Sequence, residues 1–129
     1  MADAAHIRQV YTRYPEMVSK GDVDGIVELY AEDATIEDPI GSDLHRGLDA
    51  VRAFYAESAG TVTMKQTGPV RVAGHEAATP LIVLMGPDGP GQKALDIISV
   101  MTFDEAGKVT NMRAFWSFDA IRPATADDR

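Results

Sequence analysis

The apolar residues of this chain change their spacing half-way along it. Up to about residue 60 they recur every three or four positions, and beyond that they alternate. The first rhythm keeps one face of a helix apolar; the second keeps one face of a strand apolar. Such a chain has to lay a group of helices on a sheet supplied mainly by its second half, an α+β arrangement.

Residues 4–20 carry Ile7, Val10, Tyr14, Met17 and Val18 on one stripe. Pro15 lies inside that stripe, and a proline within a helix removes a donor and clashes with the preceding turn. A bent helix, or two segments meeting near Tyr14, is therefore expected. Gly21 ends this helix and Asp22 caps the next, which is expected to run through "GDVDGIVELYAED" with Val23, Ile26, Val27, Leu29 and Tyr30 inward. "ATIEDP" reads as a short strand stopped by Pro39, "IGSDLHRG" as a loop, and "LDAVRAFYAESAG" as a third helix with Val51, Phe54 and Tyr55 on its stripe. Strands are expected near 61–73, 77–86, 92–103 and 108–118, joined by the turn formers of "AGHE", "GPDGPG" and "DEAGK". Pro69 and Pro80 indicate bulges or edge positions. A meandering sheet curving around one side of three helices tends to leave a cone whose mouth or interior can hold an apolar ligand.

At 129 residues the chain fits one domain, with a polar tail from about residue 120 expected to lie loose. A net charge of −8, with its twelve basic residues scattered, argues against a nucleic-acid partner. No apolar run approaches the ~18–20 residues of a membrane span, and the first residues lack the pattern of a secretory signal. The absence of cysteine removes disulfides and thiol chemistry and fits a cytoplasmic protein. His6, His45 and His75 match no local metal-ligand spacing, "GPDGPG" lacks the Lys-Ser/Thr pair of a phosphate loop, and there is no G-x-S-x-G elbow.

Several polar residues fall on faces that should be buried. In "KALDIISVMTF" one strand face carries Leu95, Ile97, Ser99, Met101 and Phe103, so Ser99 interrupts an apolar row. It is either a small hydroxyl satisfied by a neighbouring carbonyl or a donor presented to a ligand. Asp38 shares strand parity with Ile36 and points inward if Ile36 does; alternatively it merely begins an Asp-Pro turn. Tyr14, Tyr30 and Tyr55 each sit on the stripe of a different expected helix, where they could satisfy one another or stand as separate core residues. Tyr11 lies at the stripe's edge and acquires no role. Trp116 shares a strand face with Met112 and Ala114.

Taken together, "RYPEMVSKGDVDGIVELYAEDATIEDPIG", "AFY", "GPVR", "ALDIISVMTFDEAGKV" and "MRAFW" resemble the bacterial Δ5-3-ketosteroid isomerases, a branch of the nuclear-transport-factor-like superfamily. The likeness runs from about Val10 to Trp116. It implies an α+β fold, a curved mixed sheet packed with three helices around a conical apolar pocket, and a cofactor-independent isomerase, usually homodimeric, that moves the double bond of a β,γ-unsaturated 3-oxosteroid into conjugation. In that scheme Asp38 is the general base between C4 and C6. Tyr14 donates to the C3 oxygen, Tyr30 and Tyr55 support Tyr14, and Trp116, Phe54, Val18 and Met101 form an apolar wall.

Two departures stand out. Well-known members of the family place a protonated acid where this chain has Ser99, and Asp96, three residues away, lies on the opposite strand face. A serine hydroxyl is also a neutral donor, so Ser99 is taken as the second oxyanion donor. The other departure is Pro15 beside Tyr14. Competing readings are a polyketide cyclase or a dehydratase on the same scaffold, or a non-catalytic module for hydrophobic ligands. A dehydratase would want an acid–histidine pair, which His45 and His75, expected in loops, do not offer.

Overall fold

The computed structural model describes residues 2–129. Helix α1 spans Ala4–Lys20, capped by the Asp3 side chain, which accepts from the His6 amide at 2.8 Å, and closed by Gly21 at φ +78°. It runs through Pro15 as one element rather than breaking into two. The balance of magnitudes explains this. An interior proline costs about 3 kcal/mol. Burying Met17 and Val18 beyond it returns roughly 3–6 kcal/mol, and both are buried.

Helix α2 spans only Val23–Glu28, and strand β1, Tyr30–Glu37, follows almost at once. The longer helix expected through Asp33 is not formed. Instead, Tyr30 begins a strand that pairs in parallel with β7, Val109–Phe115, and the Val109 amide donates to the Leu29 carbonyl at 2.8 Å. The ladder to β7 outweighs the local helical pattern. Strand β2, His45–Arg46, pairs with β1 where a loop was expected, setting His45 opposite Ile36. Helix α3 spans Leu48–Ser58.

The strand expected over 61–73 is split into β3, Val62–Gln66, and β4, Arg71–Ala73, both paired with β5, Glu76–Met85. Pro80 causes the split. Its carbonyl accepts from the Thr67 amide at 3.1 Å, so its amide edge faces the gap between β3 and β4, where no ladder bond is lost. Gly68 crosses the proline ring so closely that a Cβ there would stand 2.9 Å from Pro80 Cγ. Strand β6, Lys93–Phe103, completes the central ladder between β5 and β7. The sheet order is β2-β1-β7-β6-β5-β3, mixed because β1 and β7 run parallel, and the sheet curves without closing.

The tail is not loose. Strand β8, Arg122–Pro123, pairs with β6, and Arg122 reaches both Asp96 and Asp128. The alternation along β6 matches the expected parity: Leu95, Ile97, Ser99, Met101 and Phe103 are buried, while Asp96 and Ile98 are exposed. On that outer face Ile98 and Phe115 pair in register, each 42% exposed. Among the described residues, no helix is long and apolar enough to cross a membrane.

Candidate active site

Between α1, α3 and the sheet lies a cavity of about 320 Å³, at the lower end of the ~300–1,000 Å³ typical of small-molecule sites. Its wall is largely apolar: Val18 from α1, Phe54 from α3, Met64 and Val83 from β3 and β5, Leu95 and Ile97 from β6, and Trp116. Phe118 and Ile121 close one side of it from the turn that follows β7. Of the expected wall residues, Val18, Phe54 and Trp116 line the cavity. Met101 does not. It is fully buried two positions beyond Ser99 on β6, paired with Met112, and belongs to the core.

Asp38 stands on this wall, one residue past the end of β1. Ile36 is buried, and the carboxylate follows it inward. Asp38 Oδ1 accepts a hydrogen bond of 2.6 Å from Trp116 Nε1, so Trp116 is more than an apolar surface. Burial raises the Asp38 pKa above the usual carboxylate range, while the Trp116 hydrogen bond and the charge of nearby His45 pull in the opposite direction. His45 also packs its ring on Phe54, 5.0 Å between centroids. The β1–β2 pairing thus brings a histidine to the same side as the acid, where a loop was expected.

The three tyrosines do converge, although Tyr30 arrives from a strand rather than a helix. Tyr55 Oη lies 2.8 Å from Tyr14 Oη and 2.6 Å from Tyr30 Oη. Each phenol has one proton. If Tyr30 donates to Tyr55 and Tyr55 to Tyr14, the Tyr14 proton is left for another acceptor. Burial holds all three pKa values above that of a free phenol, and the negative charge of Asp38 raises Tyr14 further. They are neutral, and therefore donors, across the physiological range.

None of these phenols, nor Ser99, lies on the cavity surface itself. Tyr14 is one turn before Val18 on α1, and Ser99 is two residues past Ile97 on β6, each continuing a row of lining residues. Ser99 is 2% exposed, and the Tyr11 phenol stands 3.2 Å from both its Oγ and its carbonyl oxygen. Tyr11, read from sequence as an edge residue, is fully buried. The signal was present, since Ile7, Tyr11, Tyr14 and Val18 form a continuous i, i+4, i+7, i+11 row.

Residues 11–112 match the family model described as the SnoaL-like domain. The chain belongs to the SnoaL-like family. This SnoaL-like chain is 41% identical over 115 residues to the steroid Δ-isomerase of Nocardioides simplex, a match covering 88% of the chain and 92% of that protein. It is 31% identical over 122 residues to the epoxide hydrolase LasB of Streptomyces lasalocidi, of which it spans 43%. Among solved structures it superimposes on the epoxide hydrolase/cyclase-like enzyme SalBIII, which has a role in pyran ring formation in the polyether salinomycin. There the TM-score is 0.83 at 31% identity, covering 94% of this chain and 98% of the other.

Proposed function

We propose that this SnoaL-like protein is a cofactor-independent steroid Δ-isomerase that moves the C5–C6 double bond of a 3-oxo-Δ5-steroid to the conjugated Δ4 position. Asp38 removes a proton from C4, the electrons move onto the C3 oxygen as a dienolate, and Asp38 returns the proton to C6. Tyr14 and Ser99 donate hydrogen bonds to that oxygen, with Tyr30 and Tyr55 supplying protons in series behind Tyr14. Charge then develops on oxygen in front of fixed donors rather than on carbon, and each such donor is worth about 3–4 kcal/mol in comparable sites. One carboxylate serving both carbons replaces two bimolecular proton transfers.

The observation that carries this reading is Asp38: a carboxylate held by Trp116 on a largely apolar wall that Glu57 and Ser58 also reach, in a fold whose core gathers three linked phenols. The 41% identity to a steroid Δ-isomerase supports the same choice. The exposed Ile98–Phe115 pair on the outer sheet face is a natural contact for a cytoplasmic homodimer. The test is to follow enone absorbance with 5-androstene-3,17-dione. The wild type turns over and Asp38→Asn loses most of that rate; equal rates in the two would refute Asp38 as base.

A second reading has its own support. His45, close enough for its charge to act on Asp38 and packed on the lining residue Phe54, offers a second proton-handling group, and relatives at 31% identity are epoxide hydrolase or cyclase-like. Formation of diol from an apolar epoxide, abolished by His45→Gln, with no conjugated enone formed from the steroid, would favour it.

A further inference from the structure

Two polar side chains besides Asp38 reach the cavity, Glu57 and Ser58, and both come from the last turn of α3. The ladders set them at the end of the cavity remote from Asp38. Asp38 is bonded to Trp116, one residue past the Ile98–Phe115 pair, which places it level with Ile97 on β6. From Ile97 the lining continues through Leu95 to Met85, the partner of Lys93, four residues or roughly 13 Å along the strand. Met85 also pairs with Val62. The chain reaches Val62 directly from Ser58 through Gly60, whose amide donates to the Val18 carbonyl at 2.8 Å. The last turn of α3 is therefore delivered to the Val62–Met85 end.

Glu57 is poorly placed for stability. A carboxylate in the last turn of a helix faces the negative end of its dipole, and no basic residue in that turn offsets it. Among the described residues Glu57 forms no ion pair. No Lys or Arg lines the cavity, and Lys93, on the same strand face as Leu95, is exposed and not part of the wall. A carboxylate on a largely apolar wall with no cation beside it is an acceptor open to a ligand's donor. An ionised carboxylate can only accept, whereas the Ser58 hydroxyl both accepts and donates.

We infer that Glu57 sets substrate specificity: it accepts a hydrogen bond from a hydroxyl at the end of the steroid opposite the reacting ring, so that 17-hydroxy substrates are preferred to 17-ketones. This rests on the isomerase reading, in which Asp38 fixes C4 and C6 at one end of the cavity. The five-membered ring, at the other end of the fused four-ring skeleton, then extends towards Val62 and Met85. A hydroxyl there donates to Glu57. A ketone brings a second acceptor up to the carboxylate, and Ser58 alone of the two can donate to it. No charge changes at that end during the reaction, so the contact is equally strong in the bound substrate and the transition state. It therefore acts on KM rather than kcat.

The test compares 17β-hydroxy-5-androsten-3-one with 5-androstene-3,17-dione by enone absorbance. Their conjugated products are compared by quenching of Trp116, the single tryptophan of the chain and part of the cavity wall. Wild type should favour the hydroxyl member of each pair roughly two- to tenfold, the weight of one net hydrogen bond, through KM in the first case and Kd in the second. In Glu57→Gln the carboxamide donates as well as accepts, and the preference should fall to near unity. The melting temperature should hold or rise, because the substitution removes a charge from the unfavourable end of the helix. Equal affinity for the two members in wild type, or a preference that survives in Glu57→Gln, would overturn the inference. The binding arm does not depend on turnover. Preferential binding of the hydroxysteroid without isomerisation would refute the isomerase reading and leave Glu57 its role. Isomerisation of both substrates with equal KM would do the reverse, and failure to bind either steroid would overturn both.

Discussion

Replacing Trp116 with phenylalanine isolates the bond that holds the proposed base. The indole donates to Asp38 at 2.6 Å, and its ring packs edge-on against Phe118 at 4.9 Å. Phenylalanine keeps an aromatic body on the wall and removes the donor. A hydrogen bond to a charged group is worth about 1.5–3 kcal/mol. Asp38 is only partly buried, so water recovers part of that loss and the lower half of the range applies. At 1.36 kcal/mol per pKa unit, the Asp38 pKa should rise by about one unit above its already raised position. The sign follows from which form the donor favours: removing a donor to the carboxylate disfavours ionisation. The acid limb of kcat/KM, read from enone absorbance, should therefore move up by about one pH unit in Trp116→Phe, with wild-type and variant rates converging well above both limbs. Stability follows the same sign. Because folding raises this pKa, the folded state is favoured at low pH and loses that advantage as pH rises through the raised value, more so in the variant. An acid limb that stays put or moves down would refute the assignment of this bond as the Asp38 anchor.

Three further outcomes follow from the geometry. Tyr55→Phe cuts the phenol chain at its centre, between contacts of 2.8 and 2.6 Å, and should lower kcat several-fold with little change in KM, measured by steady-state kinetics. Met101→Ala should cost about 2–5 kcal/mol in denaturant unfolding while leaving steroid affinity nearly unchanged, since Met101 is core rather than wall. Ile98→Asp, on the exposed outer face, should leave the fold intact and shift a dimer towards monomer in analytical ultracentrifugation.

What could be read from sequence was whatever depended on one strand's own parity. The faces of β6, including inward Ser99, follow from alternation alone, and so does the inward course from Ile36 to Asp38. What failed depended on partners distant in sequence. Tyr30 belongs to a strand because Val109, far along the chain, offers it a ladder. His45 is set opposite Ile36, two residues before the acid, because a two-residue strand finds β1. Pro15 leaves α1 unbroken because the packing of Met17 and Val18 outweighs its local cost. The tail is tied down by Arg122, whose carboxylate partners cannot be chosen from sequence. Within the candidate site, the three phenols and the acid were legible as residue types on faces. The Trp116–Asp38 bond and the Tyr11–Ser99 contact were not, because each joins elements whose relative placement only the folded chain specifies.

At the centre of the proposed reaction is one carboxylate carrying one proton between two carbons inside an apolar cavity. The most direct measurement gives the protein 5-androstene-3,17-dione deuterated at C4 in ordinary water and locates the label in the product by NMR. Deuterium recovered at C6, and lost together with turnover in Asp38→Asn, is the expected result. Rapid conversion with only solvent hydrogen at C6, or label transfer that survives Asp38→Asn, would contradict it.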